Sequence, residues 1–108
     1  MYNSPFTPFG PTYLVGLSQV QVSTINNMQA TSYRVRNILN AITYFAWSPP
    51  IASGGAPSMA ATAPLAGQPS ANVMGMAAND TRIFCLPDKA WFIASAAAGL
   101  EITPGEGV

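Results

Sequence analysis

The chain has 108 residues, 49% of them hydrophobic and only 7% charged, with four basic residues balanced against four acidic ones and no histidine. That length suits one small domain around one core, and the balance of charge excludes the basic footprint that nucleic-acid binding requires. A surface so neutral is expected to lie against other protein in a permanent assembly, because exposed neutral and apolar patches otherwise invite aggregation.

Other classes fall away as simply. Cys85 stands alone, so neither an internal disulfide nor a multi-thiolate zinc site is expected, in keeping with a reducing compartment. The segment MYNSPFTPFGP carries no basic residue and no long apolar stretch, which argues against a signal peptide. No window approaches the roughly 20 apolar residues of a membrane helix.

In chain order, residues 1–11 place Pro5, Pro8, Pro11 and Gly10 among Tyr2, Phe6 and Phe9. A helix cannot run through such prolines, so an extended N-terminal arm is expected, its aromatics anchored on a neighbouring subunit or folded back onto the chain's own core. A single domain then spans 12–108. Tyr13, Val15 and Leu17 alternate, with Gly16 as a bulge or close backbone approach. Gln19 to Ile25 continues as a half-buried strand with the glutamines on its polar face, and Asn26-Asn27 turns the chain. Thr31 to Leu39 is a second strand, with Tyr33 and Val35 on one side and Arg34 and Arg36 on the other.

Ile42 to Trp47 is apolar on both faces, which predicts a central or covered strand ended by Ser48-Pro49-Pro50. Residues 49–72 form a charge-free zone rich in Ala, Pro, Gly and Ser. Loops this long are uncommon inside compact domains, and Ile51, Met59 and Leu65 favour an ordered loop draped on the fold or on a partner over a solvated linker. Asn72 to Met76, Thr81 to Leu86, Ala90 to Ser95 and Leu100 to Ile102 read as short strands, with a Pro-Gly tail from Pro104. Ser95 to Ala98 is too short for a helix and reads as strand continuation or turn. The pattern is that of an all-β, small antiparallel β-sandwich, jelly-roll-like or of another two-sheet form.

Chemistry is scarce along this chain. Acid-base catalysis draws on histidine or paired carboxylates, whereas Asp80 and Asp88 sit in predicted turns beside Arg82 and Lys89, Glu101 faces outward, and Glu106 lies in the tail. Cys85 has no histidine base and its alternating strand suggests a small core residue. The usual nitrogen and sulfur metal ligands are lacking, the glycines form no phosphate-binding loop, and no cofactor is expected. Trp47, Trp91, Tyr33, Tyr44, Phe45, Phe84 and Phe92 could stack on a sugar, but inside alternating strands they read as core. Arg34 and Arg36 could clamp a partner's carboxylate or form a solvated face.

The runs Ser32-Tyr33-Arg34-Val35-Arg36-Asn37, Ala41-Ile42-Thr43-Tyr44-Phe45-Ala46-Trp47, Pro64-Leu65-Ala66-Gly67, Ala90-Trp91-Phe92 and Leu100 to Gly107, in that order, resemble small structural proteins of tailed bacteriophages. Within that group the chain resembles the capsid cement or decoration proteins of short-tailed phages. The resemblance implies a non-enzymatic virion protein, assembled in the bacterial cytoplasm and seated on the outer capsid surface. There it would staple subunits of the major capsid protein, as a homodimer or trimer, without nucleic acid or membrane. The arm, the loop and the tail are the expected contact segments, with Tyr2, Phe6, Phe9, Arg34, Arg36, Ile51, Met59 and Leu65 as the contact residues. The competing reading is a tail spike or fibre module that binds a host glycan or receptor.

Overall fold

A computed structural model describes residues 6–25, 28–62, 64, 66–67 and 73–107. Among the described residues there is no helix, and nine strands form two antiparallel sheets. The strands are β1 (Thr7–Pro8), β2 (Tyr13–Val15), β3 (Val20–Gln21), β4 (Ser32–Asn37), β5 (Thr43–Ser48), β6 (Val73–Met76), β7 (Thr81–Phe84), β8 (Trp91–Ala94) and β9 (Leu100–Glu106). One sheet has the order β1-β9-β4-β7, with β2 also on the β1 side of β9; the other has the order β3-β8-β5-β6.

From β2 to β9 each connection crosses between the sheets, except that from β5 to β6, which joins neighbours in one sheet through residues 49–72. The inner faces meet in a core of Val15, Val22, Tyr33, Val35, Phe45, Met76, Phe92, Leu100 and Ile102, all essentially buried. Edge-to-face pairs, Tyr33 on Phe92 at 5.3 Å and Phe45 on Phe84 at 5.6 Å between ring centroids, tie the two sheets across it. Period-2 alternation drives this arrangement: in β4, Tyr33 and Val35 are buried while Arg34 and Arg36 are exposed.

The chain departs from its expected layout in three places. The predicted tail is the end of β9, which runs through Pro104 and Gly105 to Glu106 between β4 and β1. Pro104 fits there because the side of the strand that lacks a donor faces Phe9, whose carbonyl already accepts the Ile25 N–H at 2.8 Å, while Phe9 N–H bonds the Pro104 carbonyl at 2.8 Å. At Gly105 any Cβ would collide with the Thr7 carbonyl and the Phe6 ring, so only glycine allows β1 to close on β9.

Cys85 is exposed. Phe84 pairs with buried Tyr33, so Ile83 and Cys85 take the outer phase of the alternation. The strand expected from Gln19 to Ile25 is only two residues long by pairing, although Val22 still bonds the Ala90 carbonyl at 3.0 Å. Beyond it the chain leaves the sheet to meet Phe9.

Other expectations agree with the observed structure. β5 lies between β8 and β6, Ser95 to Ala98 forms a turn, and a Cβ on Gly16 would sit 2.8 Å from the Ala98 backbone nitrogen, a close backbone approach. The expected turn at Asn26-Asn27 lies outside the described residues.

Candidate interaction surfaces

One end of the sandwich is organised by Asn37, which is fully buried at the end of β4. Its amide nitrogen donates to the carbonyls of Ala41 at 2.9 Å, Ala77 at 3.0 Å and Met76 at 3.1 Å. Its Oδ1 accepts from Leu39 N–H and from Thr43 Oγ1, both at 3.1 Å. One side chain thus binds the β4–β5 turn to the β6–β7 turn, and Asn79 reinforces the link by donating to Asn40 Oδ1 at 3.0 Å. On this braced end and its flank stand the most exposed large apolar side chains described: Leu17 at 64%, Ile42 at 61% and Leu14 at 57%. The turns there are filled with Ala77, Ala78, Ala96, Ala97 and Ala98; at the start of β7 Arg82 Nε pairs with Asp80 Oδ2 at 2.8 Å, and Leu14 stands opposite Glu101 in the β2–β9 ladder. The Arg82 guanidinium beside Asp80 holds that carboxyl below the usual range.

The outer face of the β3-β8-β5-β6 sheet is covered in part by the long connection. Gln19 Oε1 accepts the Met59 N–H at 3.1 Å, and its Nε2 donates to the Pro57 carbonyl. The side chain thereby fastens residues 57–61 across the sheet, where Met59 and Ala61 pack on Ala46, Ile93 and Val73. This satellite cluster accounts for the second apolar face of β5. Beside the strap lies an open groove of about 680 Å³ lined by Trp47, Pro49, Met59, Val73 and Met74 among others. Among the described residues, Trp91 Nε1 is the buried side-chain polar atom that lacks a partner.

The outer face of the other sheet carries Arg34 and Arg36. Arg36 faces Glu101 across the β4–β9 ladder, at 3.8 Å between Nη1 and Oε1, and Arg34 lies between Thr103 and Ile83. The Phe6 ring covers Gly105 on this same face, so the fold gathers Phe6, Arg34 and Arg36 into one row that chain order does not suggest. Phe9 is half-buried at the seam between Pro104 and Ile25. The described part of the arm therefore lies back on its own domain. Met59 is half-buried in the strap on the opposite side of the sandwich, Ile51 is exposed beyond β5, and Tyr2 and Leu65 lie outside the described residues. The exposed set of Leu14, Leu17, Ile42 and Met74 was not singled out from sequence, although Leu14 does sit out of phase with Tyr13 and Val15.

Asp88 and Asp80 each accept a backbone N–H. Asp88 Oδ1 accepts the Ala30 N–H at 3.0 Å, and Asp80 Oδ1 caps Thr81 N–H at 3.0 Å. Tyr33 hydroxyl donates to the Pro87 carbonyl at 2.7 Å and accepts the buried Ala90 N–H at 3.2 Å. Burial raises the Tyr33 pKa, partly offset by the backbone N–H groups that favour the phenolate. Among the described residues no group of three or more His, Cys, Asp or Glu side chains is placed to hold a metal, and no helix is long and apolar enough to cross a membrane. The chain matches no protein-family model, no curated protein and no solved structure.

Proposed function

We propose that the chain is a virion structural protein of the capsid cement or decoration type, which binds the outer surface of a major capsid protein shell and staples neighbouring subunits, acting as a homo-oligomer. The observation that carries the reading is the braced apolar end: Ile42 is exposed in a turn that Asn37 holds in one geometry, Leu17 is exposed beside the β8–β9 turn at the same end, and Leu14 stands on the adjoining sheet face opposite Glu101. A rigid apolar surface binds without losing loop entropy on docking, and engagement of several capsid subunits at once multiplies its affinity. The strand orders β2-β9-β4-β7 and β3-β8-β5-β6 support reading the sandwich as a jelly roll, an architecture that recurs among viral capsid domains.

Shells assembled without this protein provide the test. Purified chain should bind them saturably, at a stoichiometry commensurate with the lattice, and raise the temperature at which they break. Leu17→Asp with Ile42→Asp should abolish binding and leave the circular dichroism spectrum unchanged. Wild-type occupancy by that double variant would overturn the role of this end.

One observation favours a second reading, a glycan-binding module of a spike or fibre: Trp47, half-buried against the main core, is among the residues that line the groove beside the strap. Saccharide-dependent quenching of tryptophan fluorescence that is lost in Trp47→Leu would support it.

A further inference from the structure

A two-sheet sandwich has exposed sheet edges that must be kept from pairing with other chains. On β7, Arg82 is the register mate of buried Val35, so it sets a charge on the core-side rim, where Asp80 holds it. β3 is only two residues long, and its Gln21 side chain donates to the Lys89 carbonyl at 3.1 Å. Along β1 and β2, Pro8 lacks a donor and the carbonyls of Phe9 and Gly16 are occupied by Ile25 and Ala94 N–H groups. β6 has none of these devices. Val73–Met76 contains no charge and no proline, and among the described residues nothing pairs with its outer side.

The polarity of that edge follows from its neighbour. Tyr44 directs its backbone toward β8, its N–H to Ser95 Oγ at 3.0 Å and its carbonyl to Ser95 N–H at 2.8 Å. Gly75, opposite Tyr44, and Val73, opposite Ala46, therefore turn their N–H and C=O groups outward, while Met74 and Met76 turn theirs toward Phe45 and Thr43. The free donors and acceptors stand two residues apart, at Val73 and Gly75. Two copies of β6, antiparallel about a two-fold axis through Met74, place each Val73 opposite the other copy's Gly75 and satisfy every one of these groups.

We propose that β6 is the self-association edge of this protein, joining two four-stranded sheets into one of eight strands. The inference rests on the self-association part of the proposed function and names its surface. A second copy suits this edge because an uncharged strand laid against itself meets no like charge, and because Met74, 43% exposed, would be covered by its own copy across the axis.

The test uses the free protein. Across a non-hydrogen-bonded antiparallel pair the Cα atoms stand about 4.5 Å apart, within disulfide reach, so Met74→Cys in a Cys85→Ser background should give a covalent dimer on mild oxidation. Wild-type protein should sediment as a dimer, and Met74→Lys should weaken the dimer by roughly 100-fold through like charges at the axis with an unchanged circular dichroism spectrum. A monomeric wild type, a dimer without the Met74 cross-link, or a dimer indifferent to Met74→Lys would each overturn the proposal. Shell attachment is read separately: a monomer that still attaches sinks the edge pairing and the self-association it rests on but leaves the capsid attachment standing, and a dimer that never attaches sinks only the capsid reading.

Discussion

Replacing Asn37 by alanine removes one side chain and strips partners from groups around two turns, the Leu39 N–H, the buried Thr43 hydroxyl and the Ala41 carbonyl, while the Ala77 carbonyl keeps the Asp80 N–H. Unsatisfied buried groups cost about 1–3 kcal/mol each, and some of these would be rehydrated at the end of the sandwich. The expected loss is about 3 kcal/mol, measured by urea unfolding with the m-value unchanged. Tyr33 sets an alkaline limit. Its pKa is raised in the folded state by burial, so the folded protein holds the phenolic proton more tightly than the unfolded chain does. The stability linked to it is fully present below the unfolded pKa near 10 and is lost as pH rises through the folded value. Tyr33→Phe should remove that part of the alkaline slope while lowering stability at neutral pH by about 1–2 kcal/mol, because Ala90 N–H loses its acceptor.

At the scale of elements the strap is the part most open to perturbation. Gln19 holds the backbone of residues 57–61 from both ends of one amide, much as a short strand would. Gln19→Ala should raise the rate of limited proteolysis between residues 57 and 61 by about tenfold, since local opening there costs far less than global unfolding. The sandwich itself should persist, because Ala46 and Ile93 belong to a satellite cluster separate from the main core. Strand faces were legible wherever alternation was clean, as in Arg34 and Arg36 against Tyr33 and Val35. Cys85 was misread because the phase of β7 is set by its register on β4. Pro104 was misread as a terminator because the donor it lacks is made redundant by Ile25, a residue far away in sequence.

For the whole molecule the consequence of neutrality is testable without structural detail. Two of its cations are paired with carboxylates, Arg36 with Glu101 and Arg82 with Asp80, so little long-range field remains to steer or hold a partner. Association through the apolar end and the β6 edge should therefore be nearly independent of ionic strength. Between roughly 50 and 500 mM salt, where the Debye length shrinks severalfold, the dissociation constant measured by sedimentation or on shells should change by less than about twofold. A steep salt dependence would point to Arg34 and Arg36 as the binding face.

What the sequence alone determined was the class of fold and the sidedness of strands with clean alternation, such as β4, because alternation with a period of two is a local property that such a strand carries in its own residues. The scarcity of charge was equally plain without coordinates. The tertiary structure decided which strands are neighbours, which edge is left bare among the described residues, how Asn37 braces one end and why Phe6 joins Arg34 and Arg36 on one face. These are relations between residues distant along the chain, and pairing partners and sheet ends have no signature in any single window.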